Sequence, residues 1–192
     1  MSLEMGLGPM YSNKTPWLVN WLIDCSHVGK CLFVNNLLDT RDKNNVMTKN
    51  RIYDVTQLSK EYGIDTTKVR HIKDIAIDVV RRYNYIAIDE AQFFEDIEMV
   101  LYLVDDLKKH VRVSGLNGDK DRNVFGNIFR LLPHVDNIVF LKAICSECGR
   151  VGKKRDAIFT RLKNKDDTGT QIKIGTDIYE PLCRECYNEL NQ

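Results

Sequence analysis

Two cysteine pairs near the C-terminal end, Cys145-Ser146-Glu147-Cys148 and Cys183-Arg184-Glu185-Cys186, restrict the fold more than any other feature of this sequence. Each C-x2-C segment presents two thiols from one turn, and two such turns with 34 residues between them close a four-sulfur cage. A tetrahedral zinc ion suits that cage. Four protein ligands leave no open position, so the metal is expected to be structural rather than catalytic. The alternatives are disulfides and coincidence. The sequence starts Met1-Ser2-Leu3-Glu4-Met5, without the basic start and long apolar stretch of a secretory leader, so an intracellular, cytoplasmic protein with reduced thiols is expected. Coincidence is a poor account of two matched pairs. Cys25 and Cys31 stand in apolar surroundings and read as core thiols.

Ahead of the cage, short apolar runs alternate with helical spacing. Strands are expected at 3–7, 31–34, 85–88, 111–116 and 138–143, with short strands also near 46–52 and 69–72. Helices are expected over 14–27, 75–83, the periodic stretch 97–107, and 127–132, where Pro133 should stop the last one. Pro16 fits a first helical turn, which has no intrahelical N–H bond to lose. That order predicts an α/β, mostly parallel sheet with helices on both faces, made P-loop NTPase-like by the glycine-lysine loop Gly8–Thr15 at the end of its first strand. After 143 the pattern changes to short β-prone pieces (157–162, 171–174) bracketed by the cysteine pairs. The expected division is an α/β domain over 1–143 and a small zinc-ribbon domain over 144–192. At 43% hydrophobic the 192 residues suffice for a full core, and no apolar run is uninterrupted enough to span a membrane. A net charge of +1 gives no broad footprint for nucleic acid or acidic membranes.

Gly8-Pro9-Met10-Tyr11-Ser12-Asn13-Lys14-Thr15 has the layout of a Walker A phosphate loop. The motif needs glycine where the backbone curls its N–H groups toward phosphate oxygens, lysine to neutralise phosphate charge, and Ser or Thr to ligate Mg²⁺. A helix opening directly behind adds the positive end of its dipole. Asn13 stands at the second glycine position. Asparagine is among the non-glycine residues that best tolerate positive φ, so the curl is expected to survive. The plain alternative is a strand–turn–helix junction carrying an incidental Lys-Thr.

Tyr85-Ile86-Ala87-Ile88-Asp89-Glu90 is an apolar strand ending in two carboxylates. Ligands of open α/β sheets bind beyond the carboxyl ends of the strands, where a Walker-B-type aspartate reaches the metal. Neighbouring strand residues point opposite ways, so one carboxylate is expected to face Mg²⁺ and the other an acceptor hydroxyl. A solvated strand terminus is the alternative.

These motifs, in this order, resemble the type II thymidine kinases, the cellular, bacterial and viral enzymes with a C-terminal zinc lasso. The likeness runs from Gly8-Pro9-Met10-Tyr11-Ser12 through Asp39-Thr40-Arg41, Ile88-Asp89-Glu90-Ala91-Gln92-Phe93-Phe94, Gly115-Leu116-Asn117-Gly118, Phe125-Gly126-Asn127-Ile128 and Leu131-Leu132-Pro133. It ends with both cysteine pairs and Ile174-Gly175-Thr176-Asp177-Ile178-Tyr179 between them. The resemblance implies transfer of the ATP γ-phosphoryl group to the 5′-hydroxyl of thymidine, with Mg²⁺. It implies Glu90 as general base, and Lys14, the loop amides and Arg41 as stabilisers of phosphoryl charge. Thr15 would ligate Mg²⁺ with Asp89 behind it, and Ala91 and Gln92 would extend the ATP-binding segment. Thymine would sit among Met10, Phe93, Leu116, Phe125 and Tyr179, its polar edge meeting the lasso around Thr160 and Ile172, Lys173, Ile174, Gly175 and Thr176. Without the resemblance, those aromatics read as ordinary core residues. The family is commonly a homotetramer inhibited by its end-product triphosphate.

Several positions depart from the family pattern. Asn13 replaces a glycine, Pro16-Trp17 stands where a threonine and a glutamate are usual, and Lys120 occupies a commonly aromatic place. Because an unpaired charge in an apolar pocket is costly, Lys120 is expected to turn to solvent. The family's histidine-containing segment is not evident around Val46–Arg51, and the stretches 57–70 and 151–156 look long. Two other functions therefore stand beside the kinase. One is a nucleotide-binding relative with impaired catalysis. The other is a zinc-ribbon nucleic-acid binder, suggested by Lys153-Lys154-Arg155.

Overall fold

In this computed structural model the described residues are 1–39, 45–47, 52–163 and 178–191, with the backbone alone described for 45–47 and 52–54. Six strands form one sheet: β1 (Ser2–Gly8), β2 (Cys31–Asn36), β5 (Ile64–Val69), β6 (Tyr85–Ile88), β7 (His110–Leu116) and β8 (Asn137–Phe140). Their order is β5-β2-β6-β7-β1-β8, and every neighbouring pair is parallel. β3 (Asn45–Met47) and β4 (Ile52–Asp54) make a separate antiparallel pair.

Burial on both faces explains the near-continuous apolar strands. Alternation sends Leu32 and Val34 into a cluster with Phe94, Ile97 and Val100, while Cys31 and Phe33 join Leu18, Val19 and Leu22 on the opposite face. The latter three belong to α1 (Lys14–Ser26). Trp17 of this helix lies so close to Gly6 that a Cβ there would stand 2.7 Å from its ring, and the Arg112 guanidinium stacks 4.8 Å from the same indole. The Pro16-Trp17 departure is thus a packing feature of the first turn of α1.

Several expected elements are shifted. The strand expected near 69–72 lies earlier, at Ile64–Val69, preceded by α2 (Val55–Tyr62); together they account for the long 57–70 stretch. Of the strand expected near 46–52, the described parts belong to β3 and β4. Only Ile77–Val80 (α3) is helical within 75–83. The periodic stretch 97–107 begins as α4 (Met99–Leu101) and widens into a π-helical turn over Tyr102–Asp106. Pro133 does not stop an α-helix as expected: it lies inside Ile128–His134, a run of 3-10 turns.

The strand expected over 138–143 is two. After Phe140 the chain leaves the sheet, and β9 (Ala143–Ile144) pairs antiparallel with β10 (Asp156–Ala157). β11 (Phe159–Leu162) then pairs with β12 (Tyr179–Leu182), a strand absent from the sequence reading. Helices α5 (Ser146–Arg150) and α6 (Arg184–Leu190) complete a third cluster around Cys145, Cys148 and Cys183. Among the described residues no helix is long and apolar enough to cross a membrane.

Candidate active site

β1 delivers Gly8 to the end of the sheet, and the chain curls back before α1 opens at Lys14. Asn13 holds φ 60° and ψ 34°, the left-handed conformation that glycine would otherwise supply. Tyr11 is left-handed too, at φ 67°. Gly8 has no room for a side chain: a Cβ would lie 2.3 Å from the Leu141 carbonyl and 2.5 Å from Ser12 Oγ. The Lys14 ammonium is buried and donates to the Pro9 and Gly8 carbonyls at 2.7 and 3.3 Å. Ser12 Oγ is buried with no hydrogen-bond partner among the described residues. A bent loop holding a buried cation, an unsatisfied hydroxyl and the positive end of a 13-residue helix is chemically suited to an anion.

The acidic pair meets this loop. Thr15 Oγ1 donates to Asp89 Oδ2 at 2.5 Å, and Ser114 Oγ of β7 donates to Asp89 Oδ1 at the same distance. The Glu90 N–H adds a third bond to Oδ1 at 3.0 Å. Asp89 is 1% exposed. β6 ends at Ile88, so strand alternation does not extend to Asp89 and Glu90 as expected; Glu90 instead opens a 3-10 turn. Glu90 is left-handed at φ 52°, a conformation rare for a residue with a long side chain. Of five non-glycine residues with positive φ among the described residues, three (Tyr11, Asn13 and Glu90) lie here. Strained backbone of this kind gathers at functional sites. Gln92 lies behind the pair, its amide bonded to Glu90 Oε2 at 2.6 Å and accepting from the Leu116 N–H at 3.0 Å.

The apolar positions come together in pairs. Phe93 and Phe125 meet edge to face with centroids 5.7 Å apart. The Met10 N–H donates to Thr160 Oγ1 of β11 at 2.9 Å, and the Tyr11 hydroxyl to the Tyr179 carbonyl of β12 at 3.3 Å. Asn117 Nδ2 reaches the Ile158 carbonyl at 2.9 Å. The phosphate loop is thereby tied to the cysteine-bearing segment. Lys120 does not turn to solvent as expected. Its side chain is only 14% exposed, and a 2.8 Å ion pair with Asp121 supplies the counter-charge that makes such covering tolerable. Asp39 is buried and accepts from Asn35 Nδ2 at 2.9 Å. Arg41, Ile172, Lys173, Ile174, Gly175 and Thr176 lie outside the described residues, as does the strand expected at 171–174.

The four C-terminal cysteines form one cluster, their sulfurs all within 4.8 Å of one another. Cys148 Sγ is 3.7 Å from Cys186 Sγ and 3.9 Å from Cys183 Sγ. A tetrahedron with metal–sulfur bonds of about 2.3 Å has edges of about 3.8 Å, so the cluster is sized to hold a zinc ion. Cys145 and Cys183 stand at the N-cap positions of α5 and α6. Burial opposes ionisation of Cys183, but the Cys186 N–H and the Arg155 guanidinium bring its thiol down to about 7. Burial and neighbouring sulfurs push Cys148 and Cys186 upward. Arg155 also accepts the Cys145 N–H on its carbonyl at 2.9 Å, so one of the three basic residues is turned toward the sulfur cage. Cys31 is fully buried, and burial pushes its thiol up to about 12, as suits a core residue.

Sequence reading missed Ser114 as a site residue. Its only trace was a hydroxyl within β7, two residues before Leu116.

The sequence model of the thymidine kinase family matches residues 1–187. The chain is 38% identical to the thymidine kinase of Amsacta moorei entomopoxvirus, over 98% of each protein. It is 34% identical to that of Choristoneura fumiferana entomopoxvirus, over 100% of this chain and 98% of the relative. Thymidine kinase a of Arabidopsis thaliana is 32% identical over 94% of this chain and 72% of the plant protein.

Proposed function

We propose a function from one premise: this chain belongs to the thymidine kinase family. It transfers the γ-phosphoryl group of ATP to the 5′-hydroxyl of thymidine. The bond from γ-phosphorus to the β–γ bridging oxygen breaks, a bond to the 5′-oxygen forms, and ADP leaves. Glu90 accepts the hydroxyl proton. Lys14, the loop amides and the N-terminus of α1 stabilise the charge on the phosphoryl oxygens, with Arg41 as a further cation. The Thr15 hydroxyl and the Asp89 carboxylate form an all-oxygen pair that fits magnesium. When bound, magnesium would neutralise phosphate charge.

The observation that carries this reading is the 2.5 Å Thr15–Asp89 contact, which brings the phosphate loop and the acidic strand end into one site. Residues 1–143 serve as the catalytic module, and 144–192 as a zinc-held module that covers the base with Thr160, Tyr179 and the segment 172–176, while Met10, Phe93, Leu116 and Phe125 form its apolar walls. The same premise extends to a cytoplasmic homotetramer that binds thymidine triphosphate as an inhibitor.

A steady-state assay with ATP, magnesium and each deoxynucleoside tests the proposal. Thymidine turnover is expected in the native chain. Lys14→Ala should abolish it, and Glu90→Gln should lower it by about 10²- to 10⁴-fold. A folded, zinc-loaded protein that phosphorylates no deoxynucleoside would overturn it.

A further inference from the structure

We propose that Gln92 is a positioning residue that sets the direction of the Glu90 carboxylate. The inference rests on the reading of Glu90 as the proton acceptor. Gln92 is 4% exposed, and both ends of its side-chain amide are committed. Nε2 meets Glu90 Oε2 at 2.6 Å, and Oε1 accepts from the Leu116 N–H at 3.0 Å. Neither bond works with the amide reversed, since a backbone N–H only donates and a carboxylate only accepts. The orientation of the amide is therefore fixed by its partners.

Glu90 needs such a partner. It sits beyond the end of β6 in a left-handed turn, and a glutamate side chain has three rotatable bonds to satisfy before its carboxylate points anywhere useful. Gln92 links that carboxylate to the backbone of β7, a central strand of the sheet. The same strand end holds the other acid, through Ser114 on Asp89. One rigid element thus orients both carboxylates.

Two glycines of the motif set are shaped around Gln92, Gly115 at its side-chain amide and Gly126 at its backbone. A Cβ on Gly115 would stand 2.9 Å from Gln92 Oε1, and one on Gly126 would stand 2.0 Å from the Gln92 carbonyl. Gly126 also holds φ +63°. Gln92 is thus enclosed from two separate segments of chain.

Gln92→Glu and Gln92→Met separate positioning from packing. Glutamate matches glutamine in shape and retains an acceptor for Leu116, but it turns a carboxylate oxygen toward Glu90 where a donor stood. Methionine fills the space without either bond. Both variants should lose about 10- to 100-fold in kcat, the scale of a misplaced catalytic group, with the thymidine KM nearly unchanged. In a Glu90→Gln background neither substitution should lower the residual rate further, because the residue acts through Glu90. Wild-type kcat in Gln92→Glu would overturn the proposal, showing shape alone to be sufficient. Losses that multiply with that of Glu90→Gln would also overturn it. A Gln92→Met protein that fails to fold leaves the decision to Gln92→Glu, checked by its thermal midpoint. Full turnover by Glu90→Gln alone would remove the premise, an outcome distinguishable from failure of the Gln92 variants.

Discussion

Asn13 illustrates how a departure from a motif is absorbed by one residue's conformational range. The loop needs a left-handed residue before Lys14, and asparagine enters that region at less cost than most side chains, so φ 60° is held without glycine. Asn13→Gly should leave stability and activity close to native. Asn13→Val places a β-branched residue there, and a cost of about 1–2 kcal/mol is expected, read as a lower thermal midpoint and weaker ATP binding. Equal midpoints for the two variants would contradict the strain argument. The conformation of Asn13 was legible in advance because residue type and motif position agreed. That of Glu90 was not, since nothing about a glutamate announces φ 52°. Ser114 was hidden for a related reason: a serine inside a strand declares no partner, and Asp89 lies 25 residues away.

Elements were legible where periodicity and burial coincided. β1, β6, β7 and α1 fall within a residue or two of expectation because each is apolar on a repeating face. β5 was misplaced because Ile64–Val69 contains Asp65, Thr66, Thr67 and Lys68, as an edge strand permits. β12 escaped notice because Pro181 reads as a strand breaker, although a two-stranded pair leaves it an outer position. The segment carrying Gly126 makes a sharp prediction of its own. Gly126→Ala combines positive φ with a 2.0 Å clash against the Gln92 carbonyl, and should cost more than about 2 kcal/mol. Gly118→Ala, whose Cβ would meet nothing closer than 3.4 Å, should cost much less. Denaturant unfolding of the two variants side by side checks the ranking.

At the scale of the whole molecule, the sulfur cage and the phosphate loop are one mechanical system. Thr160 holds Met10, Tyr179 holds Tyr11, and the loop tyrosine packs against the cysteine cluster. Stripping zinc with a chelator should therefore loosen residues far from the metal. The Met10 amide is expected to exchange hydrogen faster, and a loss of even ~2 kcal/mol would lower the midpoint of a chain this size by about 4–8 °C. Unchanged exchange at Met10 after complete zinc removal would show the two regions to be independent.

The place of β1 in the sheet bears on how the chain is made. Its partners on either side, β7 and β8, begin at His110 and Asn137, and Leu3, Met5 and Leu7 are buried between them. A ribosome adding about 5–20 residues per second takes about 7 to 26 seconds to deliver both flanking strands. For that interval β1 is a greasy ribbon with bare edges. Premature sticking to another nascent copy competes with waiting, and the sheet closes only when the last of its six strands arrives.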